Sequence, residues 1–253
     1  MFPDSRTFPQ NGRYVSMFKI AATLKKRNWI FLTWGLLLCN SAAFAQGNGA
    51  WFFLSHTQKL NQKFDLLADV QLRSTEHITY FSTLLLRTAL NYNLNKHQSV
   101  ALGYAHKGDW ETEDGRKHYS PEHRIYQQYL HNFKLERMEL MLRGRLEQRF
   151  VKKDSYQFSQ RARLLLSAQI PLIADKDFTH GIYANLQDEV FLNVQNRENV
   201  NGSVLDQNRP YISAGYRLSK KMDIEFGYTR WLQREETGDR TAHVMQLMIT
   251  TNL

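Results

Sequence analysis

Cysteine is nearly absent: the 253 residues hold one, Cys39. A disulfide framework is thereby excluded, and an exported chain without one must draw its stability from a large core, a closed sheet or a membrane. Long apolar runs are missing as well. The run from Trp29 to Cys39 is eleven residues, whereas a helix needs about 20 to cross a bilayer. Glycine-rich phosphate loops, nucleic-acid motifs and metal-ligand spacing such as His-Glu-x-x-His are not found. No cofactor, metal or nucleic-acid partner is expected from this chain.

What is present at the start is an export signal. A basic segment, Met17 to Arg27, precedes the apolar run, and Ser41-Ala42-Ala43-Phe44-Ala45-Gln46 follows it. Basic, apolar and small-residue regions in that order predict a secretory signal peptide over 17–45, cleaved before Gln46 because Ala43 and Ala45 fit the peptidase subsites. Residues 1–16 lack this order and read as an extension ahead of Met17. Cys39 follows Leu38, where lipid attachment wants a small residue. Residues 1–45 carry six of the 33 Lys+Arg and one of the 24 Asp+Glu, which leaves 27 against 23 in residues 46–253. Most of the basic excess that would suggest a nucleic-acid binder leaves with them.

Residues 46–253 are dense in period-two alternation, the pattern of strands with two unlike faces. Phe64, Leu66, Ala68, Val70 and Leu72 alternate with Asp65, Leu67, Asp69, Gln71 and Arg73. The same holds for Leu84 to Leu94 and for Met138 to Leu146, and further runs cover 98–107, 123–134, 156–170, 181–193, 209–218, 222–233, 241–253 and 50–58. Short turns at Leu60–Lys63, Leu94–His97, Leu135–Met138 and Leu218–Lys221 alternate with longer polar connections at 74–79, 108–122, 151–155, 194–208 and 234–240; 171–180 is a longer member of the first set. Short turns on one side and long loops on the other describe an all-β fold, a transmembrane antiparallel β-barrel of 10–12 strands. Eleven runs are visible, but an even count is expected, so either 50–58 is not a wall strand or one strand is hidden.

Alternation alone does not say which face looks inward. A soluble barrel turns its apolar face in, and a membrane barrel turns it out. The polar face favours the second, because it gathers Arg143, Arg145, Arg149, Arg161 and Arg163 against Glu139, Glu147, Glu189, Asp223 and Glu225, a set suited to a lumen of charge pairs. Aromatic residues near strand ends, Tyr80, Phe81, Tyr92, Trp110, Tyr126, Phe133, Phe150, Tyr156, Phe158, Tyr211 and Trp231, read as interfacial girdles. The last run, His243 to Leu253, resembles the terminal strand read by outer-membrane assembly machinery, with Leu253 where an aromatic residue is usual.

Four blocks carry a family resemblance: Leu146-Glu147-Gln148-Arg149-Phe150, Asp188-Glu189-Val190-Phe191-Leu192-Asn193, Asp206-Gln207-Asn208-Arg209 leading into Tyr211–Leu218, and His243–Leu247. In this order they resemble the bacterial family called domain of unknown function 2490. The resemblance implies an outer-membrane β-barrel and no biochemical activity.

Asp188 stands out, because strict alternation would place it with Ala184, Leu186, Val190 and Leu192 on the lipid side. A β-bulge at Asp188-Glu189 would turn both carboxylates inward, where they join the arginines as a salt-bridge network or a paired-carboxylate site. Asp206, Gln207, Asn208 and Arg209 read as a loop motif, either an Asx turn with an anchoring arginine or a ligand contact. His106, His118, Ser120 and His123, with Asp109, Glu111, Glu113, Asp114 and Glu122, are the one set that could build a hydrolytic centre; a solvated loop explains them as well. The expected function is a structural or narrow-pore outer-membrane protein, with outer-membrane lipids and the assembly machinery as partners. The alternatives are a barrel hydrolase acting on lipid or surface substrates, and a soluble periplasmic barrel binding an apolar ligand.

Overall fold

The computed structural model describes residues 48–75, 78–113 and 116–253. The predicted leader at 17–45, the extension at 1–16 and Asp114 lie outside them. Twelve strands run β1 (Asn48–Lys59), β2 (Phe64–Ser74), β3 (Phe81–Asn93), β4 (Gln98–Glu113), β5 (Arg116–Leu135), β6 (Met138–Lys152), β7 (Tyr156–Ala174), β8 (Gly181–Gln195), β9 (Leu205–Asn208), β10 (Tyr211–Ser219), β11 (Met222–Glu235) and β12 (Gly238–Asn252). Except for β9 and β10, each pairs with its chain neighbour, and all twelve lie in one closed sheet.

β9 and β10 both lie between β8 and β11, with Val190 opposite Asn208 and Gln187 opposite Tyr211. The register is unbroken across Arg209 and Pro210, so the two are halves of one stave. Proline has no N–H to give the ladder, which accounts for the interruption. The barrel therefore has eleven staves. An up-and-down chain with an odd number of staves can close only if its first and last strands run the same way, and β1 indeed pairs parallel to β12, from Asn48 opposite His243 to Thr57 opposite Asn252. The run at 50–58 is a wall strand and no further strand is hidden among the described residues: the visible count holds, and the parallel seam removes the need for an even number. As a further consequence Asn48 and Leu253 lie at opposite rims, Leu253 accepting the Lys59 N–H at 2.7 Å.

One rim is made of tight turns with shared chemistry. Asn61 Oδ1 accepts the backbone N–H groups of Lys63 and Phe64, and Asn95 Oδ1 accepts those of His97 and Gln98. Ser219 Oγ accepts from Lys221. These side chains mimic a backbone turn, which is why the Leu-Asn-x-x pattern recurs. In the 175–180 turn Asp175 takes the Thr179 hydroxyl and the N–H groups of His180 and Thr179, and this bonding holds its carboxyl below the usual range. The other rim departs from expectation. Residues 108–113, 116–122 and most of 234–240 are not loops but continue the wall as paired strands, up to Glu113–Arg116 and Glu235–Gly238.

The barrel is inside out relative to a soluble core. Leu66, Leu90, Leu102, Leu164, Leu186 and Phe226 are exposed on its outer face, while Arg124, Arg145, Glu147, Arg161, Arg163, Glu189 and Glu225 are buried within. Phe64 and Tyr92 pair outside at the turn rim, and Phe150 and Phe158 pair at the loop rim, ring centroids 5.1 and 5.4 Å apart. Tyr126, Tyr211 and Trp231, expected in such girdles, instead face the lumen: the first two are buried and Trp231 lines the cavity. Space for two lumenal tyrosines comes from glycine directly across the ladder. Gly103 faces Tyr126 and Gly215 faces Tyr183, and a Cβ on either glycine would lie 2.3 Å from the tyrosine Cζ, too close for both to fit.

Candidate functional site

Regular alternation along β6, β7 and β8 sends Arg143, Arg145, Glu147, Arg149, Arg161, Arg163 and Glu189 to one side. Because neighbouring staves are in register, with Glu147 opposite Arg161, Arg145 opposite Arg163 and Leu165 opposite Glu189, these charges meet as a continuous network. Glu147 is its hub. One oxygen accepts Arg163 Nη1 at 2.6 Å, and the other accepts Arg161 Nη2 at 2.6 Å and Nε at 3.1 Å. Arg145 lies 3.6 Å away and spends its other donors on Gln128. Glu189 takes Arg163 and Arg143 at 2.7 and 2.8 Å, and Glu122 takes Arg124 through both oxygens and Arg149 at 2.5 Å. Sharing carboxylates in this way leaves few buried charges without an opposite charge, the condition under which they are tolerated away from water.

The network thins toward the turn rim. Glu225 is served by neutral donors only, the Tyr183 hydroxyl, Asn185, Ser213 and Gln169. Asp223 pairs with Arg217 at 3.0 Å, and Arg217 also reaches Glu139 at 2.9 Å. Phe178, at φ 49°, tucks its ring under Arg217 at 4.0 Å and edge-on to Tyr183. The left-handed backbone there is unfavourable for a side chain of this size. Burial of the ring and the hydrogen bond from Arg217 to the Phe178 carbonyl hold it in place. The 175–180 turn is longer than its siblings because it supplies this inward residue.

Above this floor lies a cavity of about 1160 Å³, lined from Tyr80, Trp110 and Glu236 at the loop rim down to Thr57, Asp223 and Thr250. The lumen network forms its wall at mid-height.

The bulge expected at Asp188-Glu189 is not there. β8 keeps regular register through Asp188, opposite Leu166, so Asp188 stays on the outer face and Glu189 alone turns inward. The irregularity is on the next stave, between Leu205 and Gln207, where Phe191 pairs with Gln207 and Leu192 with Leu205. Asp206 is the extra residue, and both it and Gln207 are buried. Asp206 binds Arg161 at 2.6 Å, and Gln207 accepts from Arg209 and from Trp231 Nε1. Asn208 points outward and donates to Asp188 at 2.7 Å. Of the four residues read as a loop motif, Asp206, Gln207 and Asn208 are thus strand residues and Arg209 lies in the break between β9 and β10; all but Asn208 serve the lumen. Asp188→Asn, which preserves an acceptor for Asn208, is expected to change stability by less than about 1 kcal/mol in urea titration; loss of folding would return its charge to the lumen network.

The candidate hydrolytic set is split by the wall. His106 and His123 face outward, bonded to Tyr119 and to Tyr104 and Tyr156. Ser120 donates to the Lys152 carbonyl at 3.2 Å, and Asp109 pairs with Lys107. The histidines and the serine therefore do not share the hydrogen bond that an activated nucleophile needs. Among the described residues no group of three His, Cys, Asp or Glu is arranged to hold a metal ion.

Several lumen residues escaped the sequence reading, among them Arg87, Arg124 and Arg217, which form ion pairs there, and also Arg73 and Trp51. Arg73 was visible only as one polar member of an alternating strand, and Trp51 only as part of an apolar run; they meet through long-range pairing, with Trp51 opposite Arg73. No curated protein and no solved structure matches the chain. One family model does, over residues 48–242, a span that takes in β1 to β11, the start of β12 and the whole lumen charge network: the chain belongs to the family of proteins of unknown function DUF2490.

Proposed function

We propose that this protein is an outer-membrane β-barrel whose arginine-rich lumen forms a narrow pathway for small solutes. The observation that carries the reading is the inverted polarity. Water does not favour a wall that exposes Leu102, Leu164, Leu186, Ile212 and Phe226 while burying eleven charged side chains among the described residues, whereas hydrocarbon outside and ion pairs inside satisfy both faces. A soluble barrel binding an apolar ligand would need the opposite arrangement. The outer aromatic pairs at the two rims suit the membrane interfaces, the predicted leader supplies export, and lipids are the natural neighbours of the apolar band. The turn rim, with both Leu253 and the short turns, is then periplasmic, and β12 is the strand offered to the assembly machinery. A cavity this size, walled at mid-height by a charged network, admits ions and small metabolites rather than macromolecules.

Gel migration of the membrane fraction tests this. A folded barrel is expected to migrate faster before heating than after, and to require detergent for extraction. Recovery in the soluble periplasm without detergent would overturn the membrane assignment.

A further inference from the structure

Carboxylates do not account for every arginine in the lumen. Arg87, Arg124, Arg143, Arg145, Arg149, Arg161, Arg163 and Arg217 each form an ion pair. Arg73 and Arg209 form none among the described residues. Arg73 donates one bond, from Nη2 to Gln71 Oε1 at 2.8 Å, and Arg209 donates one side-chain bond, from Nη2 to Gln207 Oε1. The Nε–H of each is buried without a partner. Arg73 is only 8% exposed, and both residues line the cavity.

These two guanidinium groups are held together by aromatic rings. Arg73 lies 4.3 Å and Arg209 5.2 Å from the centroid of the same Trp51 indole. Arg209 also sits 4.6 Å from Phe191 and 5.2 Å from Trp231, and Trp231 packs edge-on to Trp51. The ring faces attract the cations and fix their planes, but a ring offers no acceptor in the plane of the guanidinium, where its N–H groups point. Two like charges near one indole repel each other, and buried polar groups without partners are costly. An anion entering from the cavity would relieve both conditions at once.

We propose that Arg73 and Arg209 form a binding site for a phosphate-type oxyanion in the lumen. A tetrahedral dianion matches the site in charge, and its several oxygens can accept from two guanidinium forks. A halide has the charge of one but no oxygens to divide between the forks. The neighbouring carboxylate, Glu189, takes Arg143 and Arg163, both on Oε1, and forms an ion pair with neither Arg73 nor Arg209. The site deepens the reading of the lumen as a solute pathway and rests on that reading for its biological use, but it is tested separately.

The probe is inorganic phosphate, added to purified protein in detergent, with tryptophan fluorescence read because Trp51 and Trp231 border the site. A saturable change is expected with phosphate, a weaker one with acetate and none with chloride at equal ionic strength. Arg73→Gln and Arg209→Gln are each expected to lower phosphate affinity at least tenfold while retaining heat-dependent migration. Arg209→Lys keeps the charge and removes the fork; it is expected to weaken phosphate more than acetate, and it decides the matter should the glutamine variants not fold. No saturable response in the parent, or equal affinity in folded variants, would overturn the site. Heat-dependent migration in the same samples reports the barrel independently, so failure of the site and failure of the membrane reading are told apart.

Discussion

Replacing Glu147 by glutamine is expected to lower the unfolding free energy of the barrel by about 3–5 kcal/mol, the cost of removing one partner from a buried ion pair. The side chain is 1% exposed and faces three guanidinium groups, two of them at 2.6 Å. Glutamine has nearly the same shape and still offers an oxygen, so the loss isolates the charge. Arg161 keeps Asp206 and Arg163 keeps Glu189 after the change, but each of those carboxylates then balances more positive charge than before. Glu235, at the loop rim, pairs with Arg240 at 3.5 Å in partial exposure. There the same substitution is expected to cost no more than about 1 kcal/mol, since solvent screens the pair. Urea titration of protein reconstituted in lipid vesicles, followed by tryptophan fluorescence, measures both. Equal effects at the two positions would mean that water fills the lumen and screens its charges.

Leu164→Arg addresses the other face. Leu164 lies midway along β7, opposite Gly144 and Val190, and is 57% exposed. If water surrounds the wall, an arginine at an exposed position is nearly neutral, within about 0.5 kcal/mol. At the midplane of a bilayer it costs about 2–4 kcal/mol. The expected result is the larger value in vesicles, and a smaller one for an arginine at Phe64, whose place at the turn rim corresponds to the interface. A neutral outcome at Leu164 in vesicles would remove the bilayer from the outer face. The two substitutions thus probe the two sides of one polarity: a charge removed from inside and a charge added outside.

Much of this architecture was legible locally. The period of two is a property of each strand by itself, and the Leu-Asn-x-x turns declare themselves through side chains that bond their own backbone two and three residues on. Strand ends were less so. At 108–122 and 234–240 polar residues suggested loops, yet hairpin pairing continues through them, because a strand that rises beyond the apolar band no longer needs alternating hydrophobicity. Part of the charge network was legible, since Arg143, Arg145, Glu147, Arg149, Arg161 and Arg163 sit at alternate positions on adjacent strands; Arg87, Arg124 and Arg217 were not picked out, and Glu122 and Asp206 were read into other sets. Asp188 was misplaced for an instructive reason. A charge in an apolar run was taken to require a bulge on its own strand, whereas the bulge is at Asp206 on the neighbouring stave and an outward Asn208 meets Asp188 where it stands.

The sequence by itself determined an all-β chain with two unlike faces, its tight turns and the residues of its charged side, because those follow from period and from short-range bonding. Only the tertiary structure decided that the charged side is the inside, that eleven staves close through a parallel seam, and that Arg73 and Arg209 share Trp51. Each of these depends on which distant strands pair and in what register. Closure joins β1 to β12 across nearly the whole chain, and no local pattern records that pairing.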